Sequence, residues 1–367
     1  MYTTFYRDNA IKAGIPENAE GEICWESPAN IALIKYWGKE TGQIPMNASL
    51  SFSLKKSVVR ACMRYKANIK GEGGLLSFKV NGEENEAFAR RIKDYLISLY
   101  PYFPCLGKLD LEIETHSTFP HSAGIASSAA AFSALALCLC SMEEALYNKE
   151  TINEDFFRKA SYMARLGSGS ACRSVYDGFA LWGETRHYQT GSKLFAAKLF
   201  EQDTDPVFNT LKDAILVADS SAKKVSSSGG HALMNQHLYR QSRIEQVELN
   251  LKKLLDALKE GDEKTFVEIV ENEALTLHGL MMTSNPGYLL MKPGTLEMIE
   301  KIREFREETG INVGFTLDAG PNIHLIYFEK DAKNVRPFIT TELVPHCEYG
   351  QWMDDQMGPG PKKINKL

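Results

Sequence analysis

Four short segments of the chain carry residues whose types and spacing suit chemistry on anionic substrates. The first is PHSAGIASSAAA (120–131), where small residues lead into an alanine-rich stretch. Backbone N–H groups can approach an anion closely in such a loop, and a helix N-terminus adds favourable partial charge. Hydroxyls at Ser127 and Ser128 suit contact with phosphate or its Mg2+. A helix start packed tightly on a sheet reads the same way. No Walker A loop is present, because its Gly-Lys-Ser/Thr ending is missing. The second segment, GSGSACRS (167–174), surrounds Arg173 with small residues. Its planar fork matches carboxylate or phosphate, although solvated turn arginines share the pattern. In the third, FTLDAGPN (315–322), Asp318 ends a strand and enters a Gly-Pro turn. Such an aspartate is either a proton acceptor or an ordinary turn residue. The fourth, NIALIKYWGK (30–39), places Lys35, Tyr36, Trp37 and Lys39 at the end of an apparent strand. Those lysines suit anion binding or plain solvent exposure.

Periodicity supplies the elements that must position these groups. Residues 22–36, 50–65, 75–80, 109–115 and 176–182 read as strands, and Asn81-Gly82 as a tight turn. Apolar residues at helical spacing predict helices over 84–100, 125–142 and 153–166. The polar stretch 200–209 with Pro206 marks a domain boundary, giving domains 1–205 and 206–367. Beyond it come a strand at 214–218 and a long helix at 231–260 stopped by Gly261. A helix at 264–282 follows, then one from Pro293 to Thr309 closed by Gly310. Strands at 312–317 and 323–328 flank the Asp318 turn. Mixed elements in each half give an α+β class. The tail from Gly358 is expected to be mobile.

The composition excludes several function classes. A length of 367 residues allows two domains. A hydrophobic fraction of 44% and a charged fraction of 24% describe a globular chain rather than a disordered or coiled-coil one. The net charge of −5 argues against a general nucleic-acid binder. No apolar run approaches the roughly 18 residues of a membrane span, and the N-terminus lacks a signal core. A soluble, cytoplasmic protein is expected. The seven cysteines are scattered without a CxxC pair, so reduced, buried thiols are expected rather than a disulfide framework or zinc site.

Together the segments are more specific than any one alone. PANIALIKYWGK (28–39), NASLSFSL (47–54), FPHSAGIASSAA (119–130), ARLGSGSACRSVYDGF (164–179), KKVSS (223–227) and LDAGPN (317–322) occur in the order found in one family. The chain resembles the mevalonate diphosphate decarboxylases of the GHMP small-molecule kinase superfamily. That resemblance implies a GHMP-kinase-like fold: a ribosomal-S5-domain-2-like N-terminal half and a ferredoxin-like C-terminal half around one deep cleft. It implies ATP-dependent decarboxylation of mevalonate 5-diphosphate to isopentenyl diphosphate, ADP, phosphate and CO2. It also implies ATP and Mg2+ as cofactors and a homodimer without nucleic-acid or membrane partners.

Residue by residue, the resemblance assigns Asp318 to the substrate 3-hydroxyl, Arg173 to its carboxylate, and Asn30 to holding Arg173. Lys35 matches a lysine near the transferred phosphate. Gly124, Ala126, Ser127 and Ser128 fall in the ATP phosphate loop, with Ser128 also at the metal. Tyr36, Lys39, Ser168, Gly169, Ser170, Lys223, Lys224 and Ser228 fall in the segments that hold the substrate diphosphate. The chain departs from the family at four places. Ser228 stands where some members have arginine, His121 replaces a small hydroxyl residue, Ala48 a serine and Asp177 a glycine. These departures bear on the choice between a 5-diphosphate and a 5-monophosphate. The alternatives are a kinase or phosphomevalonate decarboxylase of the same superfamily, and a non-catalytic ligand-binding relative.

Overall fold

The computed structural model describes residues 2–68, 70, 72–120, 127–149, 152–221 and 227–367. In chain order its first half runs α1 (Tyr2–Asp8), β1 (Glu20–Ala32), β2 (Lys39–Glu40), β3 (Ile44–Pro45), β4 (Ser49–Ala67), β5 (Leu75–Val80), β6 (Glu83–Glu84), α2 (Glu86–Ser98), β7 (Leu109–Ser117), α3 (Ser127–Leu146), α4 (Glu154–Gly167), β8 (Phe179–Trp182) and β9 (Ala196–Lys198). The second half runs β10 (Leu211–Leu216), α5 (Ser227–Leu233), α6 (Arg240–Glu260), α7 (Glu263–Met282), α8 (Pro293–Thr309), β11 (Gly314–Thr316), β12 (Ile323–Phe328), α9 (Ala332–Phe338), β13 (Trp352–Gln356) and β14 (Lys362–Ile364).

The first half is built on β4, whose two ends serve different partners. Its start pairs with β8 and with the end of β1, while its remainder pairs with β7 and the start of β1. A bulge between Pro28 and Asn30 lets β1 follow both stretches. Helix α3 packs against β1 and β4. Its sequence is apolar almost all round, as a fully enclosed helix requires, and its side chains are buried from Ala129 to Glu143. By length and apolarity α3 is also the one described helix that could cross a membrane; here it is a core helix. The expectation that no run is long enough therefore needs correcting.

The second half is a four-stranded antiparallel sheet in the order β11-β12-β10-β13. One face packs on α8 and α9. The other face joins α6 and α7 with Ala29, Ile31, Leu50 and Phe52 of the first half in a shared apolar core. Asp355 of β13 reinforces that junction, its carboxylate accepting the N–H groups of Lys55, Lys56 and Ser57 at 2.8–3.1 Å. Caps explain the helix bounds. Asn153 accepts from the Phe156 N–H, Asp262 from that of Thr265, and Gly310 closes α8 at φ 70°.

Three further expectations are corrected. The helix expected over 231–260 is broken between α5 and α6, where the extended His237 accepts the Tyr239 N–H on Nδ1 and its Nε2 donates to the Leu280 carbonyl. The tail is not loose: β14 pairs with β1, and Lys362 reaches Glu26 at 2.9 Å. Cys24 and Cys62 sit opposite each other in the β1–β4 register and form a disulfide, while the other five cysteines are free and buried. Strand register, not sequence spacing, brings that pair together. Deleting residues 358–367 should remove the β14 ladder and cost about 2 kcal/mol, at roughly 1 kcal/mol per net hydrogen bond. Urea unfolding of the shortened chain checks this, and an unchanged midpoint would contradict it.

Candidate active site

Lys35 lies just past the end of β1, in the crossing between the halves. Its side chain is 1% exposed. The ammonium donates to the Ala32 carbonyl at 2.7 Å and pairs with Asp318 Oδ1 at 2.9 Å. Asp318 follows β11 in the second half and remains 26% exposed, so the pair is sealed on the lysine side and open on the carboxylate side. His278 of α7 fixes the Asp318 backbone, with Nε2 3.0 Å from its carbonyl oxygen.

The Lys35 peptide is gripped on both polar atoms. Its N–H donates to Glu273 Oε2 at 2.9 Å. Its carbonyl accepts from Arg243 Nη2 at 3.1 Å and Asn47 Nδ2 at 2.9 Å. Glu273 and Arg243 are themselves a fully buried pair, joined at 2.6 and 2.8 Å, and Asn250 adds a bond to Glu273. Burial pushes the Glu273 carboxyl upward, but Arg243, Asn250 and the Lys35 N–H outweigh it and hold it below its ordinary value. A carboxylate that stays ionised inside the protein is a strong acceptor.

Arg173 is equally buried and has no such partner. Nε donates to Asn30 Oδ1 at 3.1 Å and Nη1 to Ser49 Oγ at 2.5 Å. Asn30 is held in turn by Ser170 and Ser174. Among the described residues no carboxylate lies within ion-pair distance of Arg173. Burial pulls its guanidinium down from its ordinary value, while the charge of Asp318 pulls it back up. A buried cation held only by neutral oxygens is prepared to receive an anion.

Ser128 and Ser168 meet with their hydroxyl oxygens 3.4 Å apart, joining the start of α3 to the loop after α4. The first turn of α3 carries no acidic residue to compete with an anion. Tyr36 lies edge-on to Trp182 and close to Gly169, and its buried hydroxyl finds no hydrogen-bond partner among the described residues. Lys39 bonds the Gln43 amide oxygen at 3.0 Å; burial and the nearby Arg91 lower its basicity. His231 stacks on Tyr36 and Trp37 and accepts the Gly38 N–H at 2.9 Å. Burial, aided by Lys39, holds its imidazole down to about 3. Gly124, Ala126, Lys223 and Lys224 lie outside the described residues, as does His121. Ser127 opens α3; Ser228 lies in α5, and its side chain is outside the description.

The sequence matches a Diphosphomevalonate decarboxylase-like N-terminal domain over residues 27–194 and a Mevalonate 5-diphosphate decarboxylase C-terminal domain over 214–363. The diphosphomevalonate decarboxylase of Gibberella zeae is 30% identical over 322 residues, covering 83% of this chain and 81% of that one. The chain belongs to the diphosphomevalonate decarboxylase family. That of Saccharomyces cerevisiae is 28% identical, covering 85% and 79%. Mevalonate diphosphate decarboxylase from Staphylococcus aureus superposes with a TM-score of 0.80 at 27% identity, covering 95% of this chain and 99% of that one. A solved MDDEF structure in complex with MVAPP, AMPPCP and magnesium gives 0.78 at 27% identity, covering 95% and 100%. The fold is of the GHMP-kinase type expected from the motifs.

Of the residues singled out in the sequence, the structure joins Asn30 to Arg173 and Lys35 to Asp318. Sequence reading missed Glu273, Arg243, His278 and His231. Nothing distinguishes Glu273 from the other glutamates of α7 in sequence, because its meaning comes from a partner 238 residues away. Glu273→Gln leaves Arg243 buried without its counter-charge and should cost about 3–5 kcal/mol. Denaturant unfolding of Glu273→Gln and of the double variant with Arg243→Met checks this, the double variant being the more stable. His231 binds no proton in the fold above about pH 3 but would at its ordinary value of 6.5 when unfolded. Its contribution to stability is present above 6.5 and lost as pH falls toward 3. His231→Asn keeps an acceptor for Gly38 and should therefore lose less stability than the parent chain between those limits in thermal melts.

Proposed function

We propose that this chain catalyses ATP-dependent decarboxylation of mevalonate 5-diphosphate to isopentenyl diphosphate, ADP, phosphate and CO2, a step of isoprenoid synthesis. The observation that carries this reading is Arg173, a buried arginine whose hydrogen-bond partners among the described residues are neutral, beside the Lys35–Asp318 pair. A pure kinase needs a hydroxyl acceptor and a phosphate site, but not a second buried cation waiting for a carboxylate.

The residues present fit ATP and Mg2+. The start of α3 offers hydroxyls and no competing carboxylate, with Ser128 directed at Ser168. Ser127 and Ser128 would hold the triphosphate, and Ser128 the metal ion. Bound there, ATP-Mg2+ supplies a phosphoryl group and neutralises charge on it. Asp318 orients the tertiary 3-hydroxyl and accepts its proton late, since a carboxylate is too weak to remove it first. Lys35, fixed at both its peptide and its ammonium, holds Asp318 in place. Phosphate departure then builds positive charge at C3, and loss of CO2 quenches it. Arg173, locked by Asn30 and Ser49, fixes the carboxylate relative to the leaving phosphate. Too tight a pair would stabilise the ground state and slow the step. Tyr36, Lys39, Ser168, Gly169 and Ser170 would hold the substrate diphosphate, helped by Lys223, Lys224 and Ser228. A homodimer, supported by the family resemblance, and a cytoplasmic location, expected from the sequence, belong to the same reading.

Phosphomevalonate decarboxylation is the second reading, favoured by Ser228 in place of an arginine. A coupled ADP and CO2 assay on mevalonate, its 5-phosphate and its 5-diphosphate decides. The diphosphate should exceed the monophosphate by on the order of 10²-fold in kcat/KM, from lost charge-assisted hydrogen bonds. Equal turnover of both would overturn that preference. Asp318→Asn should slow phosphoryl transfer itself by about 10²–10⁴-fold, measured by single turnover with labelled ATP. Arg173→Gln should still form some 3-phosphorylated intermediate while releasing CO2 slowly.

A further inference from the structure

The face of the second sheet turned toward the first half carries a row of polar side chains inside an apolar core. Asp355 lies opposite Asp213, and Thr316 opposite His324. Each is at most 1% exposed. Ile215, Ile326 and Phe328 on the same sheet belong to the apolar core that joins the halves. A buried ionisable group in such a place needs a partner or loses its charge. Asp355 is accounted for by its bonds to the backbone of β4. Among the described residues no side-chain hydrogen bond ties Asp213 or His324 to a further element. They bond each other, Oδ2 to Nδ1 at 2.8 Å, while Asp213 Oδ1 and Thr316 Oγ1 find no hydrogen-bond partner among the described residues. A well-packed apolar pair would serve the fold as well or better.

Their place in the sheet gives them a use. Just past the end of β11, Leu317 joins Phe315 in the core on the other face, which leaves Asp318 toward the Thr316 side, about 7 Å further along the chain. His324, opposite Thr316, therefore stands on the sheet face that leads to the Lys35–Asp318 pair. The charges of that pair act on the imidazole. Burial pushes His324 toward the neutral form, Asp213 and then Asp318 hold the proton on, and Lys35 opposes them. The net direction is upward from its ordinary value. Burial likewise raises Asp213, against the pull of His324. With one shared proton the His324–Asp213 pair is net neutral; without it the pair carries one negative charge. Among the described residues His278, Arg173 and the mutually neutralised Glu273–Arg243 pair also lie around Lys35 and Asp318, and Asp355 acts on Asp213.

We propose that the His324–Asp213 pair is a positioning element for phosphoryl transfer: its shared proton keeps net negative charge from building up beside Asp318, so that Lys35 stays on Asp318 and Asp318 stays an ionised acceptor for the substrate hydroxyl. This inference rests on the function proposed above. Loss of the shared proton places an anion behind Asp318. That anion competes for the Lys35 ammonium and disfavours the ionised Asp318 carboxylate.

The test is the pH dependence of single-turnover ATP cleavage with mevalonate 5-diphosphate. In the unaltered enzyme the rate should fall about tenfold as pH rises through the His324 titration, above its ordinary value of about 6.5. His324→Gln leaves Asp213 without a counter-charge, so Asp213 takes up a proton in the core; the variant should lose that limb and stay near the high plateau, with KM for ATP and for the diphosphate within about threefold of the parent. With Asp213→Asn the pair can never carry net negative charge, and this variant should also lose the limb, which keeps the test alive if His324→Gln does not fold. A falling limb retained in His324→Gln or in Asp213→Asn, or a parent enzyme with no limb above about pH 6.5, would each overturn the proposal. Failure of the underlying function looks different: no ADP forms from the unaltered enzyme with any mevalonate phosphate.

Discussion

Everything in the site depends on where the Lys35 peptide is held. Lys35 belongs to the first half by sequence, yet its N–H and carbonyl are fixed by Glu273 and Arg243 of the second, and its ammonium by Asp318. Three contacts from three different elements of one half thus converge on a single residue of the other. A charged pair buried this deeply is poor value as a stabiliser, since desolvation offsets most of its Coulomb energy. Its benefit is geometric. Hydrogen bonds to both peptide atoms leave Lys35 no rotational freedom, and Asp355 pins the far end of the same junction to β4. The two halves therefore present Asn30, Lys35 and Arg173 to Asp318 as one rigid constellation.

That constellation was legible in sequence, but its support was not. NIALIKYWGK, GSGSACRS and LDAGPN each combine small residues with one or two charged ones, a pattern that chance packing seldom needs. Their grouping could be read without a structure, as could the end of α8 at Gly310 and the strand at 323–328. Glu273, Arg243, Asp213 and His324 lie instead in ordinary amphipathic helices and apolar strands. A buried glutamate looks like a solvated one until its partner is known. The β14 tail and the Cys24–Cys62 pair escaped for a related reason. Both depend on strand register, and register is a property of two distant segments together.

The contrast between Lys35 and Arg173 carries the last step. Both are buried cations within one site, but among the described residues Lys35 has an anion and Arg173 does not. The proton acceptor for phosphoryl transfer must be held still before the reaction, so its partner belongs to the protein. A carboxylate that leaves as CO2 must be held loosely enough to go, so its partner must do more to aim it than to bind it. In the proposed mechanism neutral oxygens on Asn30 and Ser49 achieve this, because they fix the guanidinium without spending its charge. Had an aspartate held Arg173 instead, the cation would be quenched and the substrate carboxylate would meet no field at all. Had nothing held it, the carboxylate could rotate away from the bond to the departing phosphate. Placing an amide and a hydroxyl there, and a carboxylate beside Lys35, lets one site use two arrangements of the same charges for two successive steps.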